Sequence, residues 1–530
     1  MRNDLYKKKK NTDFKTIYMK KIAYVFFGVL ILVACSSNEE FVTDGQQGQD
    51  TEFISISAEK INFEKRPTLT DNGISTRTEL TYDTHFSTWR QGDEIGAVTL
   101  QSGYFNTQSK LTLDKTGYNS MINSGVFSGE NVFDLTESYF FYYPYNKKLL
   151  RGGKIIFDMP IQTETGNYSF ENFATCDFLY TNELLLPKAN QRTILADQTA
   201  KLEFTHGVGA IQLEISKSSF QNAGVEEIKT LYYVELKSRS GENLFPQRAT
   251  IDVNGNLDFS EKLRSIFLFA GENGFDLTKA DSGFGGFLLL FPTGDDPTAE
   301  TDVQFLIHTD AGVFIANKIL PQAVAHHFFN VSFNNATLSE DIFYWNKVCK
   351  APTISGSNIN ITEAAELAWI AAISNGEITD SKISDISFKG FTISLMNDID
   401  LGGKNWSPIN GFKGTIEGNN KTISNLRIIS NKNDQGLIGI NKGGVIKDLT
   451  LYYPEIVVRA NNVGAFVGNS ESGVIANCKV SKGTVNGINN IGGLIGNDNY
   501  TLAKSCSNDG TIVTALRDNI DKRVGNPSLE

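Results

Sequence analysis

The sequence predicts an all-β chain, two tandem β-sandwiches followed by a coil of parallel rungs. Three observations carry this. Between Phe53 and Asn334 apolar residues recur mostly at every second position, the period of a strand with one buried face. After Pro352, short apolar strands separated by Gly and Asn turns repeat every 28 or 29 residues, which is the signature of a stacked solenoid. The composition agrees, with 47 Gly, 36 Phe and few long helical patterns.

The chain opens with a leader, residues 1–34. Met19-Lys20-Lys21 supplies positive charge, and the apolar run from Ile22 to Ala34 is shorter than the roughly 20 residues a membrane-spanning helix needs. Charge, apolar stretch and a small residue before the cut form a secretory signal. Translation starts at Met1 or at Met19. Leu32-Val33-Ala34-Cys35 resembles the lipobox of bacterial lipoproteins. That resemblance implies that the Cys35 thiol takes a diacylglyceryl group and that Cys35 becomes the acylated, palmitate-bearing first residue. An ordinary signal peptide with an incidental cysteine is the alternative. Residues 35–51 are polar and low in complexity, too poor in apolar area to fold, and read as a tether. Glu39-Glu40 behind the cysteine resembles the signal that sends some lipoproteins to the outer leaflet of the outer membrane.

The formal charge of the whole chain is −11, and about −17 once residues 1–34 are removed. An acidic chain argues against nucleic acid as a partner, because that affinity comes mainly from Lys and Arg meeting phosphates. Besides Cys35 only Cys176, Cys349, Cys478 and Cys506 remain, with no Cys-x-x-Cys and no zinc spacing.

The first sandwich is assigned to residues 52–190 and the second to 191–336. Val303, Phe305 and Ile307 form one buried strand face, as do Phe329, Val331 and Phe333. Leu202, Phe204, His206 and Val208 share a face, but the apolar set then moves to Ile211, Leu213 and Ile215. That one-residue phase change at Gly209-Ala210 predicts a β-bulge. Phe287 to Phe291 lacks alternation and ends at Pro292, fitting a strand covered on both faces. The two sandwiches are expected to meet in the polar stretch Lys188 to Gln198.

Four stretches in this region carry a family resemblance. Trp89-Arg90-Gln91-Gly92-Asp93-Glu94-Ile95-Gly96, Phe140-Phe141-Tyr142-Tyr143-Pro144-Tyr145, Cys176-Asp177-Phe178-Leu179-Tyr180 and Leu202-Glu203-Phe204-Thr205-His206 occur in that order. Together they resemble fimbrillin-like proteins, the subunits of type V pili, over roughly residues 50–335. The resemblance implies two transthyretin-like β-sandwiches, export as a lipoprotein, and partnership with other pilus subunits by β-strand addition. It also implies proteolytic maturation after an arginine. Arg77, in Thr76-Arg77-Thr78, sits near where such a cut would fall, and a surface arginine in a strand is the plainer reading.

Residues 337–352 read as a linker and 353–515 as the coil. Glu363 to Ile373 is a short helix with Ala364, Leu367, Ala368, Ile370 and Ala371 as its apolar stripe and Thr362 as its N-cap. Three similar units follow, with cores Gly436-Leu437-Ile438-Gly439, Gly464-Ala465-Phe466-Val467-Gly468 and Gly492-Gly493-Leu494-Ile495-Gly496. The last glycines lie 29 and 28 residues apart, and Leu449, Cys478 and Cys506 keep the same register. Stacking therefore places those three in one inward-facing column, with the cysteines expected as buried free thiols. A bridge would need their Cα atoms within about 4.4–6.8 Å. These cores resemble the GLUG motif, and Phe412 to Asn420 resembles the rung that precedes it. The resemblance implies a right-handed parallel β-helix of a bacterial surface protein. Residues 516–530 read as a cap or tail.

No catalytic constellation emerges: there is no His-Glu-x-x-His, no Gly-x-Ser-x-Gly and no P-loop. His326 and His327 are adjacent on a strand and so face opposite ways, which does not suit one metal ion. Asp398 and Asp400 offer oxygen ligands for calcium, but Asp and Asn also make turns by bonding their own backbone. Asp434, Asp448 and Glu471 are carboxylates at turns or on outward rung positions, with no pair placed for work on a glycosidic bond. No enzyme activity, metal or cofactor is expected. The expected role is a surface-exposed outer-membrane lipoprotein, acting as a fimbrial tip or accessory subunit or as an adhesin, with the β-helix as recognition domain. The alternatives are a stand-alone glycan-binding surface lipoprotein, a structural spacer, or a β-helix carbohydrate-active enzyme. Partners would be the outer membrane through the Cys35 lipid, pilus subunits, and a glycan or a host or bacterial surface protein.

Overall fold

The structure, a computed structural model, describes residues 53–60, 64–65, 68–70, 73–75, 89–101, 104–113, 124–130, 138–166, 168, 170–181, 202–220, 228–279, 283–294, 299–321, 327–339 and 343–515. Cys35, the lipobox residues 32–34, Arg77, His326, the stretch 188–198 and the tail 516–530 lie outside the described residues. The described chain is all-β, with strands in every region and two short α-helices, Phe170–Cys176 and Ala364–Ser374.

The N-terminal region closes on itself. Phe53–Lys60 pairs antiparallel with Ser124–Glu130 and parallel with Leu202–His206. With Leu179–Thr181, Ser138–Tyr143, Glu94–Gln101 and Tyr104–Leu113 it completes a seven-stranded barrel. This corrects the expectation of a sandwich for residues 52–190. The physical reason lies at Gly209-Ala210. The phase change there is not a bulge within one strand: Leu202–His206 closes the barrel, and Gly209–Ile215 belongs to a different sheet. The chain crosses from one core to the other through Gly207, where a Cβ would lie 2.9 Å from the Phe178 ring.

Trp89 pins the barrel core. Its ring meets Phe127, Tyr143 and Phe204 edge-on, and its Nε1 donates to the Ala58 carbonyl at 3.0 Å. The turn behind it is held by Asp93, which accepts from the Arg90 N–H at 2.7 Å and from the Tyr143 hydroxyl at 3.1 Å. Asp177 and His206 form a buried pair, Oδ1 to Nδ1 2.5 Å. The four quoted motifs thus converge on one core.

The next region places two sheets against each other. One runs Phe284–Leu290, Gly209–Ile215, His327–Ser332, Thr68–Thr70 and Gly73–Ser75; the other includes Ser265–Ala270, Thr230–Ser238, Glu300–Thr309 and Gly312–Pro321. Val303, Phe305, Ile307, Phe329, Val331 and Phe333 are buried together between them, as their alternation predicts. Phe284–Leu290 is buried on both faces: Leu288 and Leu290 enter this core, Phe287 and Leu289 a second one beneath the barrel.

The C-terminal region is a stack of parallel rungs. One ladder runs from Asn358–Ile361 through Thr392–Leu395, Thr415–Ser424, Ile438–Tyr452 and Val467–Ala476 to Ile495–Asp498. A second joins Arg427–Ser430, Glu455–Val458, Thr484–Gly487 and Ile512–Ala515, and a short third joins Val463–Gly464 to Ile491–Gly492. Val445, Val474 and Leu502 stand in register, as do Ile438, Val467 and Ile495. The glycines of the repeat sit where adjacent backbones almost touch: a Cβ on Gly468 would lie 2.3 Å from the Gln435 nitrogen. Leu449 and Cys478 are buried in one column, whereas Cys506, on the rung beyond, is only half-buried and not buried as expected; both cysteines are free thiols.

The helix Ala364–Ser374 is buried on nearly all sides, not along a stripe, because it sits among the core residues of the stack. Its N-cap is Glu363, not Thr362; the Thr362 N–H and hydroxyl instead donate to the Glu366 carboxylate at 2.7 and 2.8 Å.

Candidate functional site

The rungs need a left-handed backbone at their corners, and short polar side chains tolerate that conformation best. Asp434, Asn462 and Asn490 all have φ between 55° and 60°. Their side chains form a ladder: Asn462 Nδ2 donates to Asp434 Oδ1, and Asn490 Nδ2 donates to Asn462 Oδ1, each at 2.8 Å. Asn477 repeats the pattern on Asp448 at 2.9 Å, and Asn425 on Asp400 at 2.8 Å. The lowest member of each ladder is an Asp, whose carboxylate only accepts. Asp398 accepts from the Thr422 N–H at 2.8 Å and Glu471 pairs with Lys442 at 3.2 Å. The carboxylates singled out from sequence therefore hold turns and neighbouring rungs, and the structure does not bring them together. The glycine-centred cores do come together, in one column of corners.

The coil joins the second β region through a buried ionic cluster. Arg427 opens the strand Arg427–Ser430. Its Nη2 lies 2.7 Å from Glu235 Oε2, and its Nε donates to Glu455 Oε2 at 3.0 Å. Glu235, on Thr230–Ser238, also accepts from the Ser265 hydroxyl at 2.6 Å. His308 Nε2 is 3.5 Å from Glu235, its ring stacks on Tyr233 with centroids 4.0 Å apart, and its Nδ1 meets the Tyr344 hydroxyl at 3.2 Å.

Burial alone would raise the Glu235 carboxyl, but the Arg427 charge, with His308 and Ser265 beside it, holds it well below the usual carboxylate range. Burial raises Glu455 despite Arg427. Burial also lowers His308 against the pull of Glu235, so its imidazole is neutral at pH 7. Apolar contacts surround the cluster, with Ile429 and Val457 of the coil packing on Ile161, Tyr233, Phe267 and Phe269. Rim hydrogen bonds run from Asn243 to the Tyr453 hydroxyl at 2.7 Å and from Arg459 to Thr163 Oγ1 at 2.7 Å.

Beside this cluster the two regions leave a cleft of about 640 Å³, lined by Tyr232 and Tyr233 of the β region and by Tyr344, Trp406, Asn410 and Lys432. Such a volume falls within the roughly 300–1,000 Å³ of small-ligand sites. Sequence reasoning missed both cluster and cleft. The available signals were a glutamate inside the apolar run Leu231 to Leu236 and an arginine directly before Ile428-Ile429.

No family model matches the chain. A stretch of 105 residues is 42% identical to halomucin of Haloquadratum walsbyi, covering 18% of this chain, so that the chain spans about 1% of that protein's length. Among solved structures, a candidate cell adhesion protein of Bacteroides uniformis superposes with a TM-score of 0.32 at 14% identity, covering 54% of this chain and 93% of that one. The tip fimbrial protein Mfa3 of Porphyromonas gingivalis gives 0.24 at 10% identity, over 51% and 81%. A fimbrial assembly protein of Parabacteroides distasonis gives 0.26 at 10% identity, over 53% and 92%. Superpositions this loose leave the role to be argued from the chain itself.

Proposed function

We propose that this chain is a surface-exposed outer-membrane lipoprotein, anchored through Cys35, that acts as an adhesin or as a tip or accessory subunit of a fimbrium. Its parallel β-helix serves as the recognition domain, and it carries no catalytic activity. The observation that supports this reading is the buried join between coil and β region. A recognition element that must work under pull gains from a fixed attachment, and a charge pair enclosed by apolar side chains is costly to separate. The lipobox and tether supply the membrane anchor, and the rung stack supplies a repeating parallel-β face. A stalk subunit must donate a strand to its neighbour, and a C-terminal repeat region would hinder that, which favours a terminal or stand-alone position.

Immunogold electron microscopy with antibody to residues 353–530 on intact cells tests the reading. Gold at filament ends supports the tip role, and gold over the cell body supports a stand-alone adhesin. Labelling only after permeabilisation would overturn surface exposure. Metabolic labelling with a palmitate analogue, lost on Cys35→Ala, tests the anchor.

A further inference from the structure

The cleft at the join is built in a way that packing alone does not require. The pairing of Thr230–Ser238 with Glu300–Thr309 slips between Leu231 and Tyr233, making Tyr232 the extra residue of a bulge. Successive strand residues ordinarily point to opposite faces, and bulges re-aim side chains beside functional sites. Here the bulge lets two consecutive tyrosines line one cleft. Tyr232 is 39% exposed, a ring face open to solvent. Tyr233 is buried with 6% exposure, its ring stacked on His308 and its hydroxyl enclosed beside that of Tyr344. Amide and hydroxyl groups share the rest of the wall with Phe269, Trp406, Pro408 and Ile429, and with one cation, Lys432, and one anion, Glu377.

We propose that this cleft is a saccharide-binding site, with Tyr232 as the stacking platform for a pyranose ring and the amide side chains of the cleft wall as hydrogen-bond partners to its hydroxyls. The proposal deepens the adhesin reading and rests on it for why a surface protein would carry such a site. Balanced charge and an aromatic face suit a neutral sugar, whose C–H face is apolar and whose rim is hydroxyl. An extended peptide bound by strand addition is disfavoured, because Thr230–Ser238 is hydrogen-bonded on both sides, to Ser265–Ala270 and to Glu300–Thr309.

The test uses the full mature chain on a printed array of neutral and N-acetylated di- to tetrasaccharides, followed by calorimetric titration of the best binder. Saturable binding is expected, weakened about tenfold or more by Tyr232→Ala and kept by Tyr232→Phe, which retains the ring. Both variants should keep the wild-type unfolding midpoint. If no sugar binds, or if Tyr232→Ala binds as wild type, the proposal is overturned. Cell adhesion to a glycoprotein-coated surface separates the two readings. Wild-type adhesion retained by Tyr232→Ala rejects the cleft while leaving the adhesin role intact, and no wild-type adhesion rejects that role itself. Adhesion that survives enzymatic deglycosylation but is lost in Tyr232→Ala would assign the cleft to polypeptide and overturn the saccharide.

Discussion

Arg427 of the coil reaches across the join to Glu235 of the β region, Nη2 to Oε2 2.7 Å, with both side chains more than nine-tenths buried. Glu455 shares the same guanidinium from the next rung of the coil. Two carboxylates and one cation enclosed together are held only while the cation stays.

Arg427→Met should therefore destabilise the protein by about 3–5 kcal/mol, since it leaves two buried carboxylates without their counter-charge. Equilibrium denaturation measures this. The double variant Arg427→Met with Glu235→Gln should recover part of the loss by removing one stranded charge. A double variant weaker than the single would mean the pair does not carry the join.

His308 gives the join a pH dependence of definite sign. Its folded pKa lies below the ordinary 6.5, so between that value and 6.5 the unfolded chain binds a proton that the folded chain does not. Stability from this group is present above 6.5 and is lost as pH falls through that window. Glu235, held low, adds a second loss at more acid pH, whereas Glu455, held high, acts in the opposite direction. The difference between wild type and His308→Gln isolates the histidine. The wild type should lose stability relative to the variant between pH 7 and about 5. Parallel stability curves would rule the histidine out.

The coil was legible because its signal is local and periodic. The equal spacing of Gly439, Gly468 and Gly496 and of Leu449, Cys478 and Cys506 gives the rung register that the ladders show. The closed barrel was not legible, because alternation reports which face of a strand is buried and not which strand pairs with it. Phe53–Lys60 pairs with Leu202–His206 only after most of the region has intervened. The join failed for the same reason: Glu235 and Arg427 mean little until two distant segments meet. The tyrosine bulge lies in an apolar run whose composition carries no mark of a register slip, since a slip is set by the pairing strand.

The asparagine ladder can be dissected at Asn462, which donates to Asp434, accepts from Asn490 and has φ near 60°. Asn462→Ala removes two hydrogen bonds and adds left-handed strain, at about 1 kcal/mol per bond and 1–2 kcal/mol for the backbone. A total loss of about 3 kcal/mol is expected. Asn462→Gly keeps the conformation and should lose less, by about 1 kcal/mol or more. Equal losses in denaturant titration would mean that the conformation contributes nothing.

Gly468 tests whether rung spacing itself limits the coil. A Cβ there would lie 2.3 Å from the Gln435 nitrogen and 2.4 Å from the Asp434 carbonyl carbon, both backbone atoms of the preceding rung that no side-chain rotation can move. Gly468→Ala must therefore push two rungs apart and break the parallel pairing of Ile438–Tyr452 with Val467–Ala476. The cost of forcing backbone aside exceeds the roughly 1–3 kcal/mol of ordinary overpacking. Gly411 is the matched control: its φ of 66° strains an alanine, but a Cβ there meets nothing within 4 Å. Gly411→Ala should cost about 1–2 kcal/mol and leave the coil intact, whereas Gly468→Ala should abolish its cooperative unfolding. Hydrogen exchange on both variants reads this directly, since loss of protection across residues 438–504 in Gly468→Ala alone is the expected result. Equal protection in the two would mean that the rungs tolerate separation and that the repeat glycines serve only their turns.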